Sequence, residues 1–194
     1  MFKIIQLWIS FFILVSCGLE SGGSGDLDGV PSKAHRVFVT SRQYTALELS
    51  SISNADSLCM TAAQSQGLVR DYKAIISIDA LSAKSRLNFS GDVYKVDSAG
   101  ETYLVVSVGN DLWATYDRNL LNPVNFDETG LSVSSSVWTG TNSDGGTKAD
   151  STCESWTSNS GSGFAGQSSS QDSYWLEDSS ISCSTSLPIY CISQ

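Results

Sequence analysis

Apolar residues come in short bursts along this 194-residue chain, and the spacing within a burst changes from place to place. Arg36-Val37-Phe38-Val39-Thr40 is a compact β-branched and aromatic run, which predicts a first strand. From Ala55 the spacing turns helical. Ala55, Leu58, Cys59, Ala62 and Ala63 fall on one face, Ser53 offers an N-cap with Asp56 three residues on, and Gly67 supplies a stop. Cys59 is thereby placed on the buried face of a short helix. Residues 72–77, 93–96 and 102–106 read as further strands, the last two joined by the turn Asp97-Ser98-Ala99-Gly100. Val137-Trp138-Thr139-Gly140 and Pro188-Ile189-Tyr190-Cys191-Ile192 complete the set. Between them the pattern fades. Residues 109–136 are broken by Pro123 and Gly130, and residues 156–180 are almost all Ser, Gly, Thr and Asn, so both read as long loops. Short strands, one clear helix and long loops predict an α+β domain.

The N-terminus follows a different logic. Lys3 precedes an apolar run from Ile4 to Val15 that is too short to cross a bilayer, for which about 20 helical residues are needed. Leu14-Val15-Ser16-Cys17 resembles the bacterial lipobox, in which cleavage precedes the Cys and its sulfur takes a diacylglyceryl group. The sequence therefore divides into a lipoprotein signal peptide over 1–16, a flexible Gly/Ser/Asp tether over 17–34, and one domain over 35–194. Membrane attachment is expected through lipidated Cys17, since acyl chains rather than a spanning helix hold such a protein. Gly18 in place of an Asp resembles the enteric sorting pattern for delivery to the outer membrane, and surface exposure is expected there.

Charge narrows the partners. Lys3 is the one charged residue in 1–16, so the net charge of −9 becomes −10 when that segment is removed. An acidic chain with scattered basic residues argues against nucleic acid and heparin-like polyanions. Lipidation of Cys17 leaves Cys59, Cys153, Cys183 and Cys191, an even number in an exported chain, which implies two disulfides with three connectivities open. Zinc is the competing use, but there is no CxxC pair and His35 is the only histidine, so no metal or cofactor is expected.

Val137-Trp138-Thr139-Gly140, Cys153-Glu154-Ser155-Trp156, Gly166-Gln167, Cys183 and Ile189-Tyr190-Cys191-Ile192, in that order, resemble the endostatin domain. The nearer resemblance is to the endostatin-like outer-membrane lipoproteins of leptospires and related bacteria, over roughly residues 35–194. It implies a compact variant of the C-type lectin-like fold and nested disulfides, Cys59–Cys191 and Cys153–Cys183. Cys59 on a buried helix face and Cys191 in the last strand agree with that pairing. The resemblance also implies binding of host matrix and plasma proteins such as laminin, fibronectin, plasminogen and complement regulators. Vertebrate endostatin's arginine cluster and N-terminal histidines have no counterpart here.

Candidate chemistry is sparse. Gly161-Ser162-Gly163-Phe164-Ala165-Gly166 matches GxGxxG in form but lies in a Ser-rich stretch outside any βαβ unit, so its glycines are read as serving tight turns. Asn142-Ser143-Asp144-Gly145 hints at a calcium loop, yet Gly140 and Ser151 stand where an EF-hand needs carboxylates, and a turn is the reading adopted. No GxSxG elbow accompanies the lone His35. Glu154 beside Trp156 is read as a buried residue bonded to backbone rather than as a glycosidase acid. No catalytic residue is assigned and the chain is not read as an enzyme. Trp138 and Trp156 are expected in the core, and Trp113, Tyr174 and Trp175 as loop aromatics that contact a ligand. The expected function is a surface-anchored module for binding or adhesion to protein or matrix ligands. The alternatives are a carbohydrate-binding lectin-like module and a structural envelope lipoprotein. Metabolic labelling with a fatty acid is expected to mark the wild-type protein, and Cys17→Ala is expected to abolish the label; an unlabelled wild type with a free Cys17 thiol contradicts the anchor.

Overall fold

A computed structural model describes residues 28–87, 90–114, 117 and 119–194, with the backbone alone at 109 and 110. Residues 1–16, read as a signal peptide, and Cys17 lie outside the described residues. The chain is α+β. A five-stranded sheet has the order β2-β8-β1-β3-β4, formed by β1 (His35–Val39), β2 (Tyr72–Ala74), β3 (Val93–Val96), β4 (Thr102–Val106) and β8 (Tyr190–Ser193). β1 runs parallel to β3 and antiparallel to β8, and the remaining neighbours are antiparallel. A three-stranded antiparallel sheet joins β5 (Ser136–Trp138), β6 (Ser162–Gln167) and β7 (Ser179–Ser182). The two sheets meet where Trp138 bridges Ile189 and its backbone N–H donates to Pro188 O.

Both faces of the larger sheet are covered, which is why every residue of β1 is buried instead of every second one. Its period-2 geometry sends Val37 and Val39 to one side and Phe38 to the other. On the Phe38 side, the helix α2 (Ile52–Ser65) packs Ala55, Cys59 and Ala63 against Ala74, Cys191, Trp138 and Trp156. On the other side, Val37, Val39, Tyr190 and Ile192 meet Leu112, Trp113, Leu120 and Trp175. Two disulfides are present, Cys59–Cys191 between α2 and β8 and Cys153–Cys183 across the second sheet.

Several elements depart from the sequence expectation. The N-cap of α2 is Ser51, not Ser53: the Ser51 side chain accepts from Asn54 N, and Asp56 is used elsewhere. Its carboxylate accepts from Ala74 N at 2.9 Å and from Arg86 Nη1 at 3.0 Å, while Arg86 Nη2 donates to Ala74 O. These side chains supply bonds along the outer edge of β2 that a further strand would otherwise provide. A short helix α1 (Ala46–Leu49) precedes α2, held by a capping box between Thr45 and Glu48. The Thr45-x-x-Glu48 signature was legible, but four residues carry no helical periodicity to draw attention to it. The stretch read as a loop after residue 156 contains β6 and β7. Gly163 and Gly166 lie within β6, where a Cβ on Gly163 would stand 2.6 Å from Cys153 Sγ and one on Gly166 would strike the Trp175 backbone. These two glycines permit close packing rather than turns, and only Gly161, at φ +76°, has the positive φ of a turn glycine.

The tether reading stops short as well. Residues 28–34 pack onto the sheet: Asp28 is fully buried, and Val30 and Ala34 close a small cluster with Val96. Composition alone hides this, because the partners that bury Asp28 come from β1 and from the segment that leads into β2. By the chain-entropy relation, a bridge across 132 residues stabilises by about 5 kcal/mol and one across 30 by about 3.6 kcal/mol. Cys59→Ala with Cys191→Ala is therefore expected to lower the unfolding free energy more than Cys153→Ala with Cys183→Ala, as measured by urea unfolding.

Candidate functional site

The second sheet carries the loops that form the site. The segment after β5 folds back as a tight hairpin. Thr141 bridges Thr147, Asn142 N donates to Gly146 O, and Gly145 N donates to Asn142 O. Gly145 has φ +83°, and a Cβ there would stand 2.6 Å from the Trp113 ring and 2.7 Å from Lys84 Cβ, so a glycine is needed for this turn to seat against the indole. Asn142-Ser143-Asp144-Gly145 is thus a turn packed on Trp113. It is locked from the other side by Glu177, which accepts from Ser143 N at 2.9 Å and from Lys148 Nζ at 2.8 Å. Burial pushes the Glu177 carboxyl up, but these hydrogen bonds and the Lys148 charge outweigh it and hold the group below its ordinary value.

Between this hairpin and the 3-10 turn Gly109–Trp113 lies a pocket of about 680 Å³, lined among others by Trp113, Asp117, Asn142, Ser143, Asp144 and Glu177. Three carboxylates, an amide and a hydroxyl converge beside an indole, and Asn142, Ser143 and Asp144 among them lie on a hairpin held by backbone bonds. A smaller depression of about 280 Å³ lies over residues 150–162, with Asp79, Asp150, Thr152 and Glu154 in its wall. Its floor is α3 (Cys153–Trp156), a turn whose four residues all have positive φ, between 52° and 67°. Left-handed backbone without glycine costs roughly 1–2 kcal/mol per residue. Here it is held by the Cys153–Cys183 bridge, by Trp156 Nε1 donating to Ser77 O at 2.8 Å, and by Ser155 N donating to Thr152 Oγ1.

That turn corrects the reading of Glu154. It directs Cys153 and Trp156 inward and leaves Glu154 exposed, so the expected burial against Trp156 is not found. Trp138 and Trp156 are fully buried, as their motif positions suggested. Two of the three aromatics read as ligand contacts are core residues: Trp175 is 0 % exposed and Trp113 4 %. Trp175 lies in the 3-10 turn Ser173–Trp175 and packs on Tyr190, whose hydroxyl donates to Trp175 O. Trp113 is covered by the hairpin, so its ring contributes a wall and not a projecting anchor. Tyr174 alone is exposed, at 55 %. A loop position is visible in sequence, but which side of a 3-10 turn faces the sheet is not. Asn142, Asp144 and Glu177 were not singled out as ligand contacts; the turn chemistry of residues 142–145 was the sequence signal for the first two, and Glu177 is brought to them only by the fold.

His35 is buried at the start of β1, with its ring nitrogens 2.7 Å from Ser193 O and 3.1 Å from Ser90 O. Among the described residues, no group of three or more His, Cys, Asp and Glu is arranged to hold a metal ion, and no helix is long and apolar enough to cross a membrane. Compared with known proteins, the chain matches no family model and no curated protein. Trp113→Ala and Trp175→Ala are each expected to destabilise by about 3–5 kcal/mol. Tyr174→Ala should stay within about 0.5 kcal/mol of wild type. Urea unfolding midpoints decide; a Trp175→Ala variant of wild-type stability contradicts the core assignment.

Proposed function

We propose that this chain is a bacterial envelope lipoprotein, anchored at the outer membrane through Cys17, whose domain is a binding module for protein or matrix ligands displayed at the cell surface. The observation that carries this reading is the pocket beside Trp113, a preformed concavity on a rigid hairpin with convergent polar groups. Loops held by a rigid scaffold are where recognition concentrates. Acceptors dominate the pocket, which suits a ligand offering amines, guanidinium groups or hydroxyls and disfavours a polyanion. Tyr174, on the turn whose Ser173 O accepts from Glu177 N, adds an exposed aromatic to the region.

The endostatin-like, C-type lectin-like assignment belongs to the same proposal. The nested pairing of Cys59 with Cys191 and Cys153 with Cys183, and the order of β5, the Cys153–Trp156 turn, β6 and β8, support it. A carbohydrate ligand is the second reading, favoured by Asn142 and Asp144 standing beside an indole. The test is binding of the purified domain to immobilised laminin, fibronectin and plasminogen, with a glycan array in parallel. Asn142→Ala with Asp144→Ala is expected to weaken binding at least about tenfold, a loss of ~1.4 kcal/mol, while the domain stays folded. Protein binding that is lost in this variant supports the first reading, and glycan binding lost in the same way selects the second. Binding unchanged in the variant removes the pocket as the site.

A further inference from the structure

Each of the two sheets ends in two edge strands, and an edge offers a row of backbone groups to any other strand that meets it. Three of the four edges are protected. At β2, Asp56 accepts from Ala74 N and Arg86 donates to Ala74 O. At β4, Leu121 N donates to Val105 O and Asn122 Nδ2 donates to Leu104 O. The pairing of β4 with β3 also carries a register shift between Val93 and Tyr94, an irregularity that turns an edge away from a flat partner. At β5, Trp138 N donates to Pro188 O and Trp138 bridges Ile189. The fourth edge, β7, has no such cover among the described residues.

The ladder fixes which groups β7 presents. Cys183 N donates to Gly161 O, so residues 161 and 183 form a hydrogen-bonded pair. Bonded and non-bonded pairs alternate along an antiparallel ladder. Gly163 stands opposite Ile181, and Phe164 opposite Ser180. Ile181 therefore bonds inward to β6, while Ser180 and Ser182 turn their N–H and C=O outward. β6 agrees: Phe164 N donates to Ser151 O and Phe164 O accepts from Gly140 N, both away from β7. Ser182 O accepts from Thr185 N. Among the described residues, none bonds to Ser180 N, Ser180 O or Ser182 N. Both serines are exposed, and Ser179-Ser180-Ile181-Ser182 contains neither a charge nor a proline. The strand thus lacks the devices that normally keep an edge from pairing.

The surroundings decide what can pair there. Residues 139–182 carry six acids, Asp144, Asp150, Glu154, Asp172, Glu177 and Asp178, against one base, Lys148. Lys148 is already paired with Glu177. Asp178 is exposed and immediately precedes β7. An uncharged strand in so acidic a stretch disfavours a second copy of the chain, which would bring its own acids alongside, and favours a basic one. We propose that β7 is a strand-addition site for an extended basic segment of a partner polypeptide. Main-chain bonds to Ser180 and Ser182 hold the segment, and its lysine or arginine side chains answer Asp178 and the acids around it. This site is separate from the pocket beside Trp113 and does not depend on what that pocket binds.

The probe is a capped peptide of alternating threonine and valine with lysines at both ends, added to the purified protein. Amide hydrogen exchange read by NMR reports on the edge. In the free protein, the Ser180 and Ser182 amides should exchange at least about tenfold faster than those of Ile181 and Cys183, and the peptide should slow both at least about tenfold. N-methylation of the central peptide residues removes main-chain donors while keeping side chains and charge. It should weaken binding, measured by fluorescence anisotropy, at least about tenfold, as should glutamates in place of the lysines. Ser180→Pro removes a donor that takes no part in the β6–β7 ladder and should weaken binding at least about fivefold. Should that variant misfold, the methylated peptide tests the same bonds from the partner's side. A peptide that leaves Ser180 and Ser182 unprotected overturns the proposal, as does methylation without effect on binding. Equal binding of the glutamate peptide overturns the basic partner. Protection of Ser180 and Ser182 that rises with protein concentration alone gives the edge to a second copy and overturns it too.

Discussion

The larger sheet depends on β8, the four residues Tyr190–Ser193, which lie between β1 and β2 and hydrogen-bond to both. Until this last strand arrives, β1 and β2 have no common partner and the two faces of the sheet cannot be packed. Tyr190 and Ile192 enter one core and Cys191 the other, so a single short segment unites both halves of the hydrophobic interior. The Cys59–Cys191 bridge then holds α2 against the strand it covers. A sheet closed by pairing the two ends of the domain is dominated by non-local contacts, which slows folding and leaves apolar strands unpaired meanwhile. A covalent bond between α2 and β8 counters that weakness where it is greatest.

Away from β8, polar side chains do work that regular structure usually does. Asp56 and Arg86 occupy the outer edge of β2, Asp28 and Arg70 close its beginning, and Glu177 with Lys148 fastens the hairpin beside Trp113. Each pair joins segments far apart in sequence, and each carboxylate also accepts from a backbone N–H. Breaking such a pair by removing one partner is far more damaging than its modest net contribution suggests, because a partly buried charge is left behind. These pairs therefore specify geometry: they settle where the edge of the sheet, the N-terminal segment and the hairpin sit. The same logic moves the candidate site. With Trp113 and Trp175 in the core, recognition is proposed to rest on polar groups of a braced hairpin and not on projecting rings.

The larger elements were legible because their patterns are strong. The β-branched run 36–40, the helical spacing from Ala55 to Ala63 and the apolar terminal strand through Cys191 are each patterns among chain neighbours, and the α+β class follows from them. Trp138 and Trp156 were legible as core residues from their motif positions. Much of the second sheet was not. β6 is Ser-Gly-Phe-Ala-Gly-Gln, in which the glycines are required by Cys153 and by the Trp175 backbone, neighbours that only the fold brings near. The left-handed turn Cys153–Trp156 was equally hidden, since none of its residues favours that conformation and the surrounding bonds impose it.

The sequence by itself determined the periodic elements, the cysteine count, the acidity and the lipobox-like start, because each is a property of neighbours along the chain or of composition. Tertiary structure alone decided which face of a turn is buried, and so turned Trp113 and Trp175 inward, left Tyr174 and Glu154 outside, and drew Asp28 out of the tether into the domain. The physical reason is the same each time. The free energy of burying an indole or pairing a carboxylate depends on partners scores of residues away, and no local pattern records which of them will be within reach.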